Sequence, residues 1–213
     1  MKKKDILDKL WAYRELCLTH VYSDPDSTIH QTVMDRMIPK FVSEYNLDSS
    51  KKILDIGCGQ GYGMSKFADL GCTNISGITL SKEDAEVAQQ HGFDVAIEDM
   101  SFQSVDDAAY DVLFARHSLE HSPYPLLTLL EFHRILKPSG IVYVEMPSPE
   151  CTRNLESYNN HYAIMGKRQW HELMIRAGFK SLDIGELKFN INHSETGEAL
   201  GEEVYEWYVL EKS

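Results

Sequence analysis

Long apolar runs are missing from this 213-residue sequence. Its longest are strand-sized, well short of the roughly 20 residues a membrane-spanning helix needs, so no membrane insertion is expected. The opening MKKK leads into DILDKLW, which puts charges where a secretory leader needs an apolar block. Cysteine is scarce: Cys17, Cys58, Cys72 and Cys151 form no CxxC and no framework spacing. A reduced, cytoplasmic chain is the expectation. Basic charge is also in short supply, with 21 Lys and Arg against 33 Asp and Glu and a net charge of −12. A phosphate backbone is bound through clustered Lys and Arg, and the only basic run is residues 2–4. Nucleic acid is therefore excluded as an expected partner, and a small molecule is favoured. Nothing in the sequence fixes an oligomeric state.

What is present reads as one globular core. Apolar content is 43% and charged content 25%, ordinary for a soluble domain. Residues 5–18 and 31–45 show helical apolar spacing, with SDPDST between them. From residue 51 strands alternate with helices: KKILDI, TNISGIT, FDVAI, YDVLFAR and GIVYVEMP are strands. GYGMSKFADLG, SKEDAEVAQQHG (with Ser81 as N-cap) and PLLTLLEFHRILKPSG are the helices between them. After Pro149 the rhythm changes to the polar, aromatic segment ECTRNLESYNNHYAIMG, then the amphipathic helix RQWHELMIRAGF. Two period-two stretches close the chain, SLDIGELKFNI and EVYEWYVLE. The alternation predicts an α/β fold: a Rossmann-like, seven-stranded, mostly parallel sheet with an antiparallel edge pair and helices on both faces. Residues 1–48 form an N-terminal helical cap and 49–213 the main domain, with 150–166 and 190–203 as lid or substrate loops.

The most informative stretch is ILDIGCGQGYG, residues 53–63. Glycine at every second position after an apolar run means a backbone that side chains would forbid, or a ligand pressed against it. In a doubly wound sheet that turn lies at the carboxyl ends of the strands, where ligands bind. A dinucleotide calls for GxGxxG, whereas here the spacing is GxGxG, with Asp55 two residues ahead. An acid there repels pyrophosphate and suits a ligand carrying an ammonium group. A tight turn that binds nothing is the plain alternative, since a lone glycine motif is weak evidence.

Residues 51 to 147 as a whole resemble the class I S-adenosylmethionine-dependent methyltransferases, especially the branch of ubiquinone-type O-methyltransferases. The pieces that carry the resemblance are LDIGCGQG, GITLS (77–81), EDM (98–100), YDVLFARHSLEH (110–121) and ILKPSGIVYVEMP (135–147). The resemblance implies S-adenosylmethionine as cofactor and a small-molecule methyl acceptor, with oxygen as the receiving atom. It implies that Asp55, Gly57, Gly59 and Gly61 cradle the methionine part and that Asp99 receives the adenine amino group. Met100 packs on the ring, and Arg116 lies at the cofactor face. The family's second strand ends in an acid for the ribose hydroxyls; here Thr79 stands in its place, followed by Leu80. That departure motivates an alternative, a cofactor-binding module without catalysis. A nucleic-acid methyltransferase is disfavoured by the absence of an NPPY-like motif and of a basic face.

His117-Ser-Leu-Glu120-His121 fits H-x-x-E-H, a zinc-peptidase spacing, but it follows a parallel strand in a cofactor-binding domain. The closer comparison is the E-x-x-E-H motif of the ubiquinone O-methyltransferases, whose residues are read as divalent-metal ligands. Glu120 and His121 match, while His117 replaces the first acid, a change that favours zinc, iron, manganese or cobalt over magnesium. His161 and His193, with Glu195 close by, extend the candidate metal set to His117, Glu120, His121, His161 and His193. Without a metal, Glu120 and His121 simply open a helix. A hydroxyl acceptor must lose its proton, which a histidine near neutral pKa can take; His117, His121 and His161 are the candidates. Trp11, Tyr13 and Tyr22 read as a cover over the cofactor.

Overall fold

Alternation along each strand sends successive side chains to opposite faces of the sheet, and the two layers follow from it. In the computed structural model, which describes residues 3–19, 21–23, 27–151, 160–192 and 199–213, Leu54, Ile56, Leu113, Ala115, Val142 and Val144 point to one side. Ile53, Val112, Phe114 and Tyr143 point to the other. The strands are β1 (Ile53–Ile56), β2 (Ile75–Thr79), β3 (Asp94–Ile97), β4 (Tyr110–Arg116), β5 (Leu136–Pro147), β6 (Phe179–Asn192) and β7 (Ala199–Lys212). They form one seven-stranded sheet in the order β3-β2-β1-β4-β5-β7-β6. β1 to β5 run parallel, and β7 pairs antiparallel with both β5 and β6. The expected architecture is the one observed.

The helices are α1 (Lys3–Leu18), α2 (Thr28–Glu44), α3 (Tyr62–Asp69), α4 (Lys82–Gln90), α5 (Pro125–Ile135) and α6 (Lys167–Arg176). Leu129 and Phe132 of α5 and Trp170 and Met174 of α6 fill the first layer. Ile38 and Phe41 of α2 and Phe67 of α3 fill the second. Burying such a side chain contributes about 1.5–3 kcal/mol, so α2 is welded to the sheet. α1 buries no residue. α2 starts at Thr28, earlier than its apolar spacing indicates, because the Ser27 hydroxyl accepts a hydrogen bond from the His30 amide at 3.2 Å and caps the first turn. α5 stops at Ile135 instead of running on through LKPSG. Pro138 cannot continue a helix, and residues 136–140 instead begin β5. Among the described residues no helix is long and apolar enough to cross a membrane, and no disulfide forms.

Candidate active site

The three glycines of the first turn all adopt positive φ: 73° at Gly57, 51° at Gly59 and 90° at Gly61. Only glycine occupies that region without strain, so the turn itself requires them. Gly57 also sits where a β-carbon would come within 2.8 Å of the Ser118 side chain, whereas one at Gly59 would meet nothing within 4 Å. Gly59 thus leaves open a wall shared by two cavities. The Gly57 and Cys58 amides both donate to the Ile78 carbonyl, at 2.9 and 3.0 Å, which ties the turn to β2. Gly61 precedes α3 with no side-chain cap, so the helix presents its first amides to the turn.

Asp55 lies beneath this turn, 4% exposed. Burial pushes its carboxyl up to about 7, against the pull of the Arg116 guanidinium. It lines a small cavity of about 90 Å³ together with Gly57, Gly59, Tyr62, Arg116 and His117. An acid and a guanidinium on the walls of one small cavity suit the ammonium and carboxylate of an amino acid. A second cleft of about 170 Å³ shares Gly57, Gly59 and His117 with it and is also lined by Thr79, Leu80, Asp84, Glu98 and Met100. Ser118, His121, Asn160, Tyr162, Tyr22 and Cys17 are among its other lining residues. Together the two spaces provide a zwitterion end and a longer, partly apolar end.

Most of the residues singled out from the sequence meet here. Asp55, Gly57, Gly59, Thr79, Leu80, Met100, Arg116, His117 and His121 line one or both spaces. Gly61, Asp99, Glu120 and His161 do not line either. Asp99 accepts from the Ser101 amide at 2.8 Å and pairs with Arg14 of α1 at 3.3 Å, while the neighbouring Glu98 reaches the cleft wall. His193 and Glu195 lie outside the described residues, as do Tyr158 and Asn159. Trp11 is 63% exposed, whereas Tyr13 packs edge-on against Tyr124 and Tyr22 reaches His121.

Behind the cleft stands a buried ionic cluster. Arg116 ends β4 and Glu145 sits opposite it in the register of β5, with Nε and Oε1 2.7 Å apart. Burial pushes Glu145 up, but Arg116 and then His117 outweigh it and hold the carboxyl down at about 2. Arg116 Nη1 also lies 2.9 Å from His30 Nδ1, on the first turn of α2. His117 has a positive φ of 48°, unusual for a residue with a side chain. Its ring lies between two carboxylates, Nδ1 3.5 Å from Glu120 and Nε2 3.5 Å from Glu145. Burial and Arg116 push its pKa down, yet the bonds to the two acids raise it overall. Glu120 is pushed up by burial and drawn below the usual range by His117.

His121 is held differently. Its Nδ1 is 3.0 Å from the Asn160 carbonyl, and its Nε2 is 3.4 Å from the Tyr22 hydroxyl. A carbonyl can only accept, so Nδ1 carries a hydrogen, and Nε2 is the ring nitrogen left facing the Tyr22 hydroxyl. The amides of Tyr162 and Ala163 donate to the Glu120 carbonyl at 2.9 and 3.1 Å, pinning this segment to the Leu119–His121 turn. His161 then stacks edge-on to His121, ring centroids 4.8 Å apart. Glu120, His121 and His161 each offer one ligand atom, all within 4.8 Å of one another; His117 is not in that group. Sequence reasoning missed His30, Asp84 and Glu145, whereas Asn160 falls in the 150–166 segment expected to shape the pocket. Only Glu145 left a signal, an acid inside the apolar run YVEMP.

A larger, mostly apolar groove of about 520 Å³ lies between α2 and strands β5, β6 and β7, with Phe41, Tyr143, Phe189 and Trp207 on its walls. Glu145 is the residue it shares with the ionic cluster.

A mostly parallel sheet with this order and an antiparallel edge, a glycine turn after β1 and a cleft beside that turn define a Rossmann-like methyltransferase fold. The family model for the methyltransferase domain matches residues 27–184, and the chain belongs to that family. It is 28% identical over 157 residues to 27-O-demethylrifamycin SV methyltransferase of Amycolatopsis mediterranei (strain S699), covering 68% of this chain and 57% of that protein. It is 35% identical over 123 residues to the ubiquinone biosynthesis O-methyltransferase of Vibrio parahaemolyticus serotype O3:K6 (strain RIMD 2210633), covering 54% of this chain and 49% of that one. The chain thus spans about half the length of these curated relatives. Among solved structures, a Bacillus halodurans C-125 protein described as a methyltransferase superimposes with a TM-score of 0.70 at 16% identity, covering 82% of this chain and 98% of that one.

Proposed function

We propose that this protein transfers a methyl group from S-adenosylmethionine to an oxygen of a small-molecule acceptor, with His121 as the base. The observation that carries the reading is the orientation of His121, a cleft-lining residue whose Nδ1 is held by the Asn160 carbonyl and whose Nε2 has only the long 3.4 Å contact with the Tyr22 hydroxyl. When bound, S-adenosylmethionine supplies an electrophilic methyl group on a sulfonium. Asp55 and Arg116 would hold the ammonium and carboxylate of its amino acid, the turn at Gly57 and Gly59 would let it approach the backbone closely, and Met100 would pack against its base. His121 takes the acceptor's proton at Nε2, while the Asn160 carbonyl steadies the charge that forms on the ring. His117 is the positioning residue between Glu120 and Glu145: both its nitrogens face carboxylates, so neither is placed to receive the acceptor's proton. Helix α1 and Tyr162 cover the cleft and limit the entry of water. Formation of S-adenosylhomocysteine across a panel of phenols and alcohols, followed by mass spectrometry, tests this. Cofactor binding without turnover on any acceptor would favour a non-catalytic module instead.

A second reading is favoured by the Glu120, His121 and His161 group. One carboxylate and two imidazoles suit a borderline divalent cation such as zinc or manganese. Donor atoms on one tetrahedral ion stand roughly 3.4 Å apart, so a modest inward shift would complete the set. A metal would lower the acceptor's pKa and orient it, and His121 would then be a ligand, not a base. Calorimetric titration of the chelator-treated protein with zinc separates the two. Stoichiometric binding that disappears in His161→Ala supports the metal; no binding leaves His121 as the base.

A further inference from the structure

We propose that the groove between α2 and the β6–β7 pair binds the anion of an elongated apolar acid, a long-chain carboxylate, at a site separate from the cofactor cleft. The groove shares no lining residue with either of the two spaces at the glycine turn. Strand pairing explains why it exists. The β5–β7 ladder ends at Pro147 and Tyr205, while the β6–β7 ladder runs on to Asn192 and Ala199. The last two strands therefore overhang the rest of the sheet. Leu187, Phe189 and Ile191 line the groove, and period-two alternation puts all three on one face of β6. Gly185 keeps the space open. A β-carbon there would fall 2.1 Å from the Trp207 ring, so only glycine lets the indole lie flat against β6. In that position the indole runs nearly parallel to Tyr143, 11° between the ring planes.

Shape and charge select the occupant. On the α2 side the lining residues run from Thr28 to Tyr45, a length of about 25 Å at the helical rise of ~1.5 Å per residue. The cavity of about 520 Å³, drawn out over that length, has a mean cross-section of about 20 Å². That is room for a single hydrocarbon chain and too narrow for fused rings. The walls are mostly apolar, as in sites for apolar ligands, where a few polar groups fix the orientation. The charged residues of the groove are Arg36, Lys40, Glu44, Glu145 and Lys188. Four of them are engaged. Lys40 pairs with Glu44 at 3.6 Å and Lys188 with Glu186 at 3.6 Å. Glu145 is buried against Arg116 and accepts from the Tyr143 hydroxyl at 2.7 Å. The exposed Arg36 side chain makes no ion pair or hydrogen bond with any described residue. In a chain of net charge −12, it is a free guanidinium on the lip of an apolar groove. Its planar fork meets a carboxylate through two parallel hydrogen bonds. Lys40, 5.7 Å from the Trp207 ring, adds positive charge one helical turn away.

The experiment is isothermal titration of the full chain with dodecanoate and with dodecyltrimethylammonium, both below their micellar range. Wild type is expected to bind one equivalent of dodecanoate, about 10-fold more tightly than the cation. Affinity should fall about fourfold for each methylene removed on passing to decanoate and octanoate. Arg36→Gln should bring the two head groups within about threefold of each other. Ile29→Asn, at a groove position 37% exposed, should weaken both ligands by about fivefold, with thermal melting as the check on folding. Leu80→Asn, on the wall of the cofactor cleft, should change neither. No saturable binding, equal affinity for the two head groups, a preference that survives Arg36→Gln, or a loss confined to Leu80→Asn would each overturn the assignment. S-adenosylhomocysteine takes no part in these titrations, so their failure leaves the cofactor reading untouched.

Discussion

If Asp55 receives the ammonium group of the cofactor, as proposed, binding becomes a proton-linked event. Its carboxyl is buried and raised to about 7 from 3.8, so near neutral pH half of the ligand-free molecules hold it protonated. An ammonium group binds the ionised form, and binding must expel the proton. If only ionised Asp55 binds, the apparent dissociation constant carries a factor of 1 + 10^(7−pH), about 11 at pH 6 and about 1.4 at pH 7.4. The ligand's own α-amino group loses its charge near 7.8, which weakens binding on the alkaline side. The product gives an optimum near pH 7.4, with affinity about sixfold lower at pH 6 and about ninefold lower at pH 9. Calorimetry in buffers of different ionisation enthalpy should show ~0.9 proton released per ligand at pH 6, and Asp55→Asn should abolish the acid limb. The same residue also works against the fold. An acid raised on folding is protonated in the native state while the unfolded chain ionises, so its contribution to stability falls as pH rises from about 4 to 7. At about 1.36 kcal/mol per decade, keeping it charged above pH 7 costs ~4 kcal/mol, and Asp55→Asn should melt higher at pH 8. Affinity constant within twofold from pH 5.5 to 7.5, or an unchanged acid limb in Asp55→Asn, would refute this account.

Three further outcomes are expected. His121→Gln should lower kcat by about 10²- to 10⁴-fold while S-adenosylhomocysteine affinity, read by calorimetry, stays within a few-fold of wild type. Glu145→Gln leaves Arg116 buried without its carboxylate and should cost about 3–5 kcal/mol in urea unfolding. Because Glu145 is held down at about 2, the wild-type advantage over Glu145→Gln is full above about pH 4.5 and disappears as pH falls towards 2, a trend that urea titrations at pH 3 and 6 would resolve. Phe114→Ala removes a ring that stacks on Tyr143 and meets Phe67 edge-on in the second layer and should cost about 3–5 kcal/mol, measured by the same method.

The sheet was legible because period-two alternation and the glycine turn are local signals: Leu54 and Phe114 announce their faces within a few residues. Helix bounds were less legible: the overrun of α5 through LKPSG follows apolar spacing past Pro138, and the start of α2 at Thr28 depends on the Ser27 cap. Asp99 shows a different limit. Its position after β3 matches the family pattern, yet Arg14, far away in the chain, occupies it. The ionic cluster was hidden for the same reason. His30, Arg116 and Glu145 come from α2, β4 and β5, and nothing in the residues flanking each one records that folding will bring them together. Asp84 looked like an ordinary acid opening a helix, because neither its burial nor its link to Gln60 is a property of the segment SKEDAEVAQQ.

The first helix offers a last consequence. It buries nothing, and it is fastened over the cleft by the Arg14–Asp99 pair and the contact of Tyr13 with Tyr124. Partly exposed ion pairs weaken as salt rises. On the proposed function, a product leaving past this helix meets a doorway latched by charge, and turnover limited by that departure should quicken in brine while the chemistry behind it keeps its pace.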